Sequence, residues 1–326
     1  MSSLFKSRWA LGLLAIPLLL WAGVALALRL PGPAWVRVAL GVLLPAVAWL
    51  WVLMAPRRGR WAVLVVFAGT LLFFFAQRPS NHRAWMADVA HIPTATVQGS
   101  RLTVQNVRHC RYGYDGDMEV RFEERSYDLD HLTTLDLFLV SWGPRHIAHT
   151  LLSFGFDNGD HLAFSIETRK ERGEAYSALK GFFREYELCI VAGDERDLVL
   201  LRTNHRKEQV RLYPLTVSPP TVRTVLLDYV ARINELAAQP EWYNALTKNC
   251  TTAMDRRVRS HSKALPWSWK LVVSGHLDEY LYEHDLLDRS LPFDELRRRA
   301  LINGVAQDVG DDPAFSARIR EGLKSH

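Results

Sequence analysis

The first 77 residues contain no Asp or Glu, although they hold seven Lys and Arg residues. Subtracting these seven from the 40 basic residues leaves 33 against 35 acidic residues in the rest of the chain, so the first quarter supplies the whole net charge of +5. A nucleic-acid-binding domain needs its excess cations on its folded surface. We therefore predict no nucleic-acid partner, and the uneven composition excludes a simple soluble protein.

Cysteine is also scarce, with three residues at Cys110, Cys189 and Cys250. Without a CxxC pair, neither a thioredoxin-like redox motif nor a Cys-rich zinc site is supported. An odd count leaves at least one thiol unpaired even in an oxidising compartment. A single reactive thiol is therefore compatible with the sequence.

Three apolar runs, at residues 9–28, 38–54 and 61–76, fill the basic first quarter. A helix needs about 17–25 apolar residues to cross a bilayer. Six of the eleven Trp residues fall here, several at run ends, as is typical of rings at the membrane interface. The sequence predicts three transmembrane helices over residues 1–77 and an extramembrane domain over 78–326. A cleaved signal peptide would explain the first run only.

The positions of the cations predict the orientation in the membrane, because short cytoplasmic loops are enriched in Lys and Arg. Lys6 and Arg8 precede the first run, and a basic loop at residues 57–60 joins the second run to the third. Both should be cytoplasmic, whereas Arg29 and Arg37 are a weaker signal of the opposite sense. The prediction is a multi-pass protein of a bacterial inner membrane with its C-terminal domain in the periplasm.

The extramembrane domain has an α+β pattern, with short strands followed mainly by helices. Residues 161–167 alternate between an apolar face and a face that carries His161, Ser165 and Glu167. Later runs at 219–238 and 293–305 have helical patterns, and Pro219 and Pro220 suit a first helical turn. We expect a sheet with one buried and one polar face.

Cys250 follows Asn249 and opens a polar helical stretch that contains several arginines. A thiol in the first turn meets unpaired backbone N–H groups and the positive end of the helix dipole, which favour the thiolate. The pattern is typical of a catalytic cysteine, although Cys residues are often just small buried side chains.

A catalytic thiolate needs a base, and His149 lies in an apolar strand where an unpaired imidazole would be costly to bury. His161, Ser165 and Glu167 on the next strand are candidate partners for its ring. A zinc site of His146, His149 and His161 is disfavoured, because residues three apart on a strand point to opposite faces. We predict no metal and no cofactor.

Several motifs together resemble the Lnb N-terminal periplasmic domain family over roughly residues 80–300. The residues that carry the resemblance are His149, Ser165-Ile166-Glu167-Thr168-Arg169, Gly173-Glu174-Ala175-Tyr176-Ser177, Gly181-Phe182-Phe183-Arg184, Asp194-Glu195-Arg196-Asp197, Arg202-Thr203-Asn204, Tyr243-Asn244, Leu246-Thr247 and Asn249-Cys250-Thr251-Thr252. The element around Cys250 and the one around Glu167 are the distinctive ones.

The resemblance implies an α+β domain with a permuted papain-like fold, similar to NlpC and lecithin retinol acyltransferase. It also implies that Cys250 is the nucleophile and His149 the general base, with His161 or Glu167 as the third catalytic residue. Asn249 and the backbone of Cys250 are candidates to stabilise an oxyanion. Ser165, Arg169, Arg172 and Arg202 are candidate substrate-binding residues, the arginines for a phosphate head group.

These features predict a membrane-anchored acyltransferase or thiol hydrolase acting on acyl esters of phospholipids or lipoproteins, as in lipoprotein N-acylation. The expected partners are the membrane and a phospholipid or lipoprotein substrate, and the sequence indicates no oligomeric state. One alternative is an NlpC-like peptidoglycan amidase, and another is a non-catalytic membrane scaffold with a structural Cys250.

Overall fold

The computed structural model describes residues 2–113, 117–143, 145–244, 266–271 and 273–323, with the backbone alone for residues 2–8. The chain forms two compact units. The first comprises Met1–Ser80 and Ser177–Glu185, and the second comprises Asn81–Tyr176 and Tyr186–His326.

Three long apolar helices form most of the first unit: α1 (Ser2–Arg29), α2 (Ala34–Met54) and α3 (Pro56–Ala76). Each contains a 21-residue stretch that is long and apolar enough to cross a membrane. Many of their large apolar side chains are exposed, such as Leu14 and Leu72. Such surfaces are stable in lipid rather than in water, so the predicted membrane-spanning character of the three runs is supported.

Helices α1 and α2 come into close contact at a pair of glycines. A Cβ atom added at Gly23 would lie 2.5 Å from the carbonyl oxygen of Gly41, and one added at Gly41 would lie 2.5 Å from the carbonyl oxygen of Gly23. Small residues allow the backbones of membrane helices to approach, which increases their van der Waals contact. The two glycines therefore set the distance between α1 and α2.

Gly41→Ala is expected to destabilise the full-length protein by about 1–3 kcal/mol, because the added methyl group overpacks a tight helix contact. Gly69→Ala is the matched control, since a Cβ at Gly69 in α3 would meet nothing within 4 Å. The midpoint of thermal unfolding in detergent measures both effects. Equal midpoints for the two variants would contradict the close contact.

The first unit also contains a short helix, α4 (Ala178–Phe182), from the middle of the extramembrane sequence. The segment is held by Phe183, which is buried against Phe74 of α3 and Trp21 of α1. A short segment far along the sequence thus packs on the apolar helices.

A central sheet of eight strands organises the second unit, and a separate hairpin adds two strands. In the eight-stranded sheet, neighbouring strands follow the order β1-β2-β9-β8-β7-β6-β10, and β5 pairs with β2 outside this order. The pairs among the described strands are antiparallel, except that β2 pairs with β9 in parallel. The strands are β1 (Thr94–Gln98), β2 (Arg101–Arg108), β3 (Arg111–Tyr112), β4 (Met118–Glu119), β5 (Phe122–Asp128), β6 (Leu132–Ser141), β7 (Ala148–Phe156), β8 (His161–Arg169), β9 (Glu187–Gly193) and β10 (Gln209–Pro214).

Helices cover both faces of this sheet, so the second unit has an α+β fold, as predicted. The helices are α5 (Glu195–Leu200), α6 (Pro219–Ala238), α7 (Leu277–Glu283), α8 (Phe293–Arg299), α9 (Asn303–Val309) and α10 (Phe315–Arg318). One hydrophobic core lies between the sheet and helices α6 and α7, and the other involves α5, α9 and α10. The expected polar face is therefore not open to solvent, and Ser165 on that face is fully buried.

The predicted helix 293–305 is interrupted in the structure. Residues between α8 and α9 pair with β10 instead, where Leu212 N donates to Ala300 O and Ile302 N donates to Val210 O. A strand edge with unpaired backbone groups satisfies these hydrogen bonds, and this tertiary contact overrides the helical pattern.

Candidate active site

The central strands β7 and β8 place a histidine beside a carboxylate. Their register pairs Leu151 with Ser165, and continuing the antiparallel pairing sets His149 opposite Glu167. Side chains two residues apart share a face of a strand. His149, Ser165 and Glu167 therefore lie on one face, the one that α5 covers.

A chain of short contacts connects these three side chains. His149 Nε2 lies 2.8 Å from Ser165 Oγ and 3.2 Å from Glu167 Oε1. Ser165 Oγ donates to Glu167 Oε1 at 2.6 Å. His149 and Ser165 are both buried, so these contacts are shielded from water.

Arg202 completes the network from the opposite side of Glu167. Its Nη2 donates to Glu167 Oε1 at 2.8 Å, and its Nη1 donates to Glu208 Oε2 at 3.2 Å. Arg202 lies in a π-helical turn, Leu201–His205, that directly continues α5. Such turns are rare and occur frequently at functional sites.

The network fixes the charge of the carboxylate and the tautomer of the imidazole. Burial alone would raise the pKa of Glu167, but the nearby His149 and Arg202 and the hydrogen bonds from His149 and Ser165 lower it well below its ordinary value. Because the ionised carboxylate can only accept, Ser165 Oγ–H donates a hydrogen bond to Glu167, and His149 Nε2–H in turn donates to Ser165 Oγ. His149 Nδ1 is then the basic nitrogen of the ring.

Glu167→Gln is expected to destabilise the protein at pH 7 by about 1–3 kcal/mol, because the charges facing Glu167 lose their partner. A lowered pKa stabilises the fold above the unfolded-state value near 4.5, and this contribution is lost as the pH falls through the folded-state value. The gap between variant and wild type should therefore narrow below about pH 4.5. Unfolding midpoints measured from pH 3 to pH 8 would show this, and a gap that is independent of pH would contradict it.

His161 lies away from the network. It pairs with Gly155 of β7, and the Nδ1 atom of His161 contacts Gly159 O. His149 precedes Gly155 by six residues on the same strand. Six strand residues span roughly 20 Å. Of the two residues predicted as the third catalytic residue, the structure therefore brings Glu167, and not His161, into contact with His149.

Among the described residues, one group of three potential metal ligands lies close together: Asp136, His161 and Glu195, with ligand atoms within 4.8 Å of one another. Arg320 Nη2 lies 2.6 Å from Asp136 Oδ2 and 2.6 Å from Glu195 Oε1. A guanidinium thus already neutralises both carboxylates. This arrangement is typical of a structural ion-pair cluster rather than a metal site.

The other predicted substrate-binding residues have different environments. Arg169 is buried, lies 4.3 Å from the Trp85 ring centroid and donates to the carbonyl oxygens of Val89 and Ala90. Its guanidinium is therefore committed to internal contacts. Arg172 is exposed, although its Nε donates to Trp85 O.

Ser165 and Arg202 also differ from their predicted use as substrate contacts. Both are buried, and their polar groups are occupied by His149, Glu167 and Glu208. They position the carboxylate instead. For Arg202 the sequence held one weak signal, because residues 202–204 are among the motifs that carry the family resemblance.

Cys110 and Cys189 are free and buried. Burial and the nearby Asp197 raise the pKa of Cys110 to about 12. Burial and the nearby Glu167 likewise raise the pKa of Cys189. Neither thiol is therefore ionised at neutral pH, and neither has the properties of a nucleophile. Asn249 and Cys250 lie outside the described residues.

Fold and site together define a membrane-associated α+β protein whose central sheet carries a His–Ser–Glu–Arg network. Residues 119–275 match the model of a family described as the Lnb N-terminal periplasmic domain. The resemblance is therefore confirmed for this region, and together with the three apolar helices it supports a membrane protein with a periplasmic domain. The match includes His149, Glu167, Arg202 and Cys250. No curated protein and no solved structure matches the chain.

Proposed function

We propose that this protein is a Cys–His enzyme, anchored in a bacterial inner membrane by three spans, that transfers or hydrolyses acyl chains of phospholipids or lipoproteins through a thioester on Cys250. Lipoprotein N-acylation is one such reaction, and a permuted papain-like fold is the corresponding architecture. The observation that carries the proposal is the buried contact of His149 with Ser165 and Glu167.

The network supports a catalytic role for His149. A general base needs a fixed tautomer and a neighbouring anion that stabilises its protonated form. Glu167 supplies the anion, and Arg202 with Ser165 keeps that carboxylate ionised and aligned.

The properties of the cysteines support Cys250 as the nucleophile. Cys110 and Cys189 are both buried with raised pKa values. Cys250 is the remaining thiol, and it lies within the matched family region. Its position at the start of a predicted helix favours the thiolate.

The proposed reaction has two steps. The Cys250 sulfur attacks an ester carbonyl, its proton passes to His149, and the carbon–oxygen bond to the leaving alcohol breaks as His149 returns the proton to that oxygen. An amine or water then attacks the thioester, His149 takes its proton, and the sulfur leaves and is reprotonated. Anchoring in the membrane raises the effective concentration of lipid substrates at the site.

Mass spectrometry of the full-length protein after incubation with phospholipid vesicles tests the proposal. We expect one acyl adduct on the peptide that contains Cys250, removable with neutral hydroxylamine as a thioester should be. Cys110 and Cys189 are internal controls and should stay unmodified. An adduct formed only with peptidoglycan stem peptides would favour the amidase alternative. The absence of any adduct, and of any acyl transfer or hydrolysis, in folded wild-type protein would favour a scaffold.

A further inference from the structure

The segment Ser177–Glu185 lies at one end of the apolar helices. Arg29, the last residue of α1, donates through Nε to Gln77 Oε1 at 2.5 Å and through Nη1 to Glu185 Oε1 at 3.2 Å. Gln77 directly follows α3. The segment therefore lies at the ends of α1 and α3 that are far from the basic loop at residues 57–60. These helix ends are on the predicted periplasmic side.

Of the large apolar side chains of the segment, one packs against the helices and two others remain exposed. Phe183 is buried, with its ring centroid 6.1 Å from that of Trp21 and 6.4 Å from that of Phe74. Leu179 and Phe182 of α4 are 53% and 42% exposed. Exposed apolar side chains at the end of membrane helices are expected to contact lipid, because the surrounding medium there is the bilayer interface.

Arg184 adds a cation to this apolar surface. Its guanidinium carbon lies 5.0 Å and 4.4 Å from the ring centroids of Phe74 and Phe75. Glu185, the adjacent carboxylate, pairs with Arg29 instead. In the described part of the chain no carboxylate pairs with Arg184, so its positive charge is available to an external anion.

Arg184 also has an unusual backbone conformation and a second cation beside it. Its φ of 57° lies in the left-handed region, which residues other than Gly and Asn rarely adopt. Burial and the positive charge of the nearby Arg29 lower the pKa of Arg184. An anion bound beside both arginines would relieve this repulsion.

We propose that residues 177–185 form a phospholipid-binding element in which Leu179 and Phe182 contact acyl chains and Arg184, beside Arg29, binds the headgroup phosphate. Guanidinium groups match phosphate oxygens in two-point hydrogen bonds, and the apolar helices supply the bilayer around the site. The inference goes beyond the proposed function, because it does not require a catalytic Cys250.

Native mass spectrometry of the full-length protein in detergent, titrated with phosphatidylglycerol, tests the element. Arg184→Asn is expected to weaken the tightest lipid association about tenfold, since charged hydrogen bonds to phosphate are lost. Asn tolerates the left-handed backbone, so the fold should be kept. Arg184→Lys should retain most of the affinity. Arg298→Asn, which changes an exposed arginine of α8 outside the segment, is the matched control and should bind lipid as wild type does.

Two further measurements separate a lipid site from a site for free phosphate. Leu179→Ser combined with Phe182→Ser should also weaken phosphatidylglycerol binding, whereas millimolar inorganic phosphate should not displace the lipid. The proposal is wrong if Arg184→Asn binds lipid as tightly as wild type. It is equally wrong if inorganic phosphate displaces the lipid and the double variant binds normally. Unfolding midpoints of each variant confirm that folded protein is compared.

Discussion

His149→Gln is expected to lower the rate of acyl transfer or hydrolysis by about 10²- to 10⁴-fold, the usual contribution of a positioned general base. Gln is similar in size and can still donate to Ser165 Oγ, so the fold around the network should be kept. It has no basic nitrogen, and the thiol of Cys250 would lose its proton acceptor. The decisive quantity is kcat/KM with a phospholipid substrate in vesicles.

His131→Gln is the matched control for this experiment. His131 is an exposed residue whose Nδ1 contacts Asp157, so its loss should leave the rate unchanged. Glu167→Gln should reduce the rate less than His149→Gln, because the base remains but its orientation and charge stabilisation are weakened. A folded His149→Gln variant with wild-type kcat/KM would exclude His149 as the base.

Asp197→Asn is expected to destabilise the second unit by about 3–5 kcal/mol, the usual cost of removing one partner from a buried ion pair. Asp197 is fully buried and accepts four hydrogen bonds: from Arg108 Nε and Nη2, from Cys110 N and from Tyr112 OH. Arg108 is also buried. Without the carboxylate its charge has no counterion in the protein interior.

Thermal or urea unfolding of the full-length protein in detergent measures this loss. Asp130→Asn is the control, because Asp130 is an exposed carboxylate that pairs with Arg223 and should contribute at most about 1 kcal/mol. Combining Asp197→Leu with Arg108→Met should recover part of the stability, since no buried charge is then left unpaired. Similar unfolding midpoints for Asp197→Asn and Asp130→Asn would show that the buried pair contributes little.

Much of the fold was accessible from local patterns. The apolar runs predicted the three long helices, and the periodicity predicted helix Pro219–Ala238 with the bounds that the structure shows. The predicted strand at His161 was also confirmed, as β8. These elements depend on side-chain periodicity and capping within one segment, which the sequence displays directly.

The candidate site was only partly predictable. The sequence indicated His149 and offered His161, Ser165 and Glu167 as partners, but their selection required the strand register. Ser165 and Arg202 were expected to meet substrate, whereas both hold Glu167 in the structure. The residue type alone does not show whether a side chain is buried beside a carboxylate or faces solvent.

By itself, the sequence determined the apolar helices, the α+β pattern and the family resemblance, and it supplied the candidate residues for thiol chemistry. Only the tertiary structure decided which of these groups meet. Arg202 reaches Glu167 across 35 residues, and Arg108 reaches Asp197 across 89. Such contacts depend on the register of paired strands and on how the chain returns to the sheet, and a shift of one residue would turn each side chain to the other face.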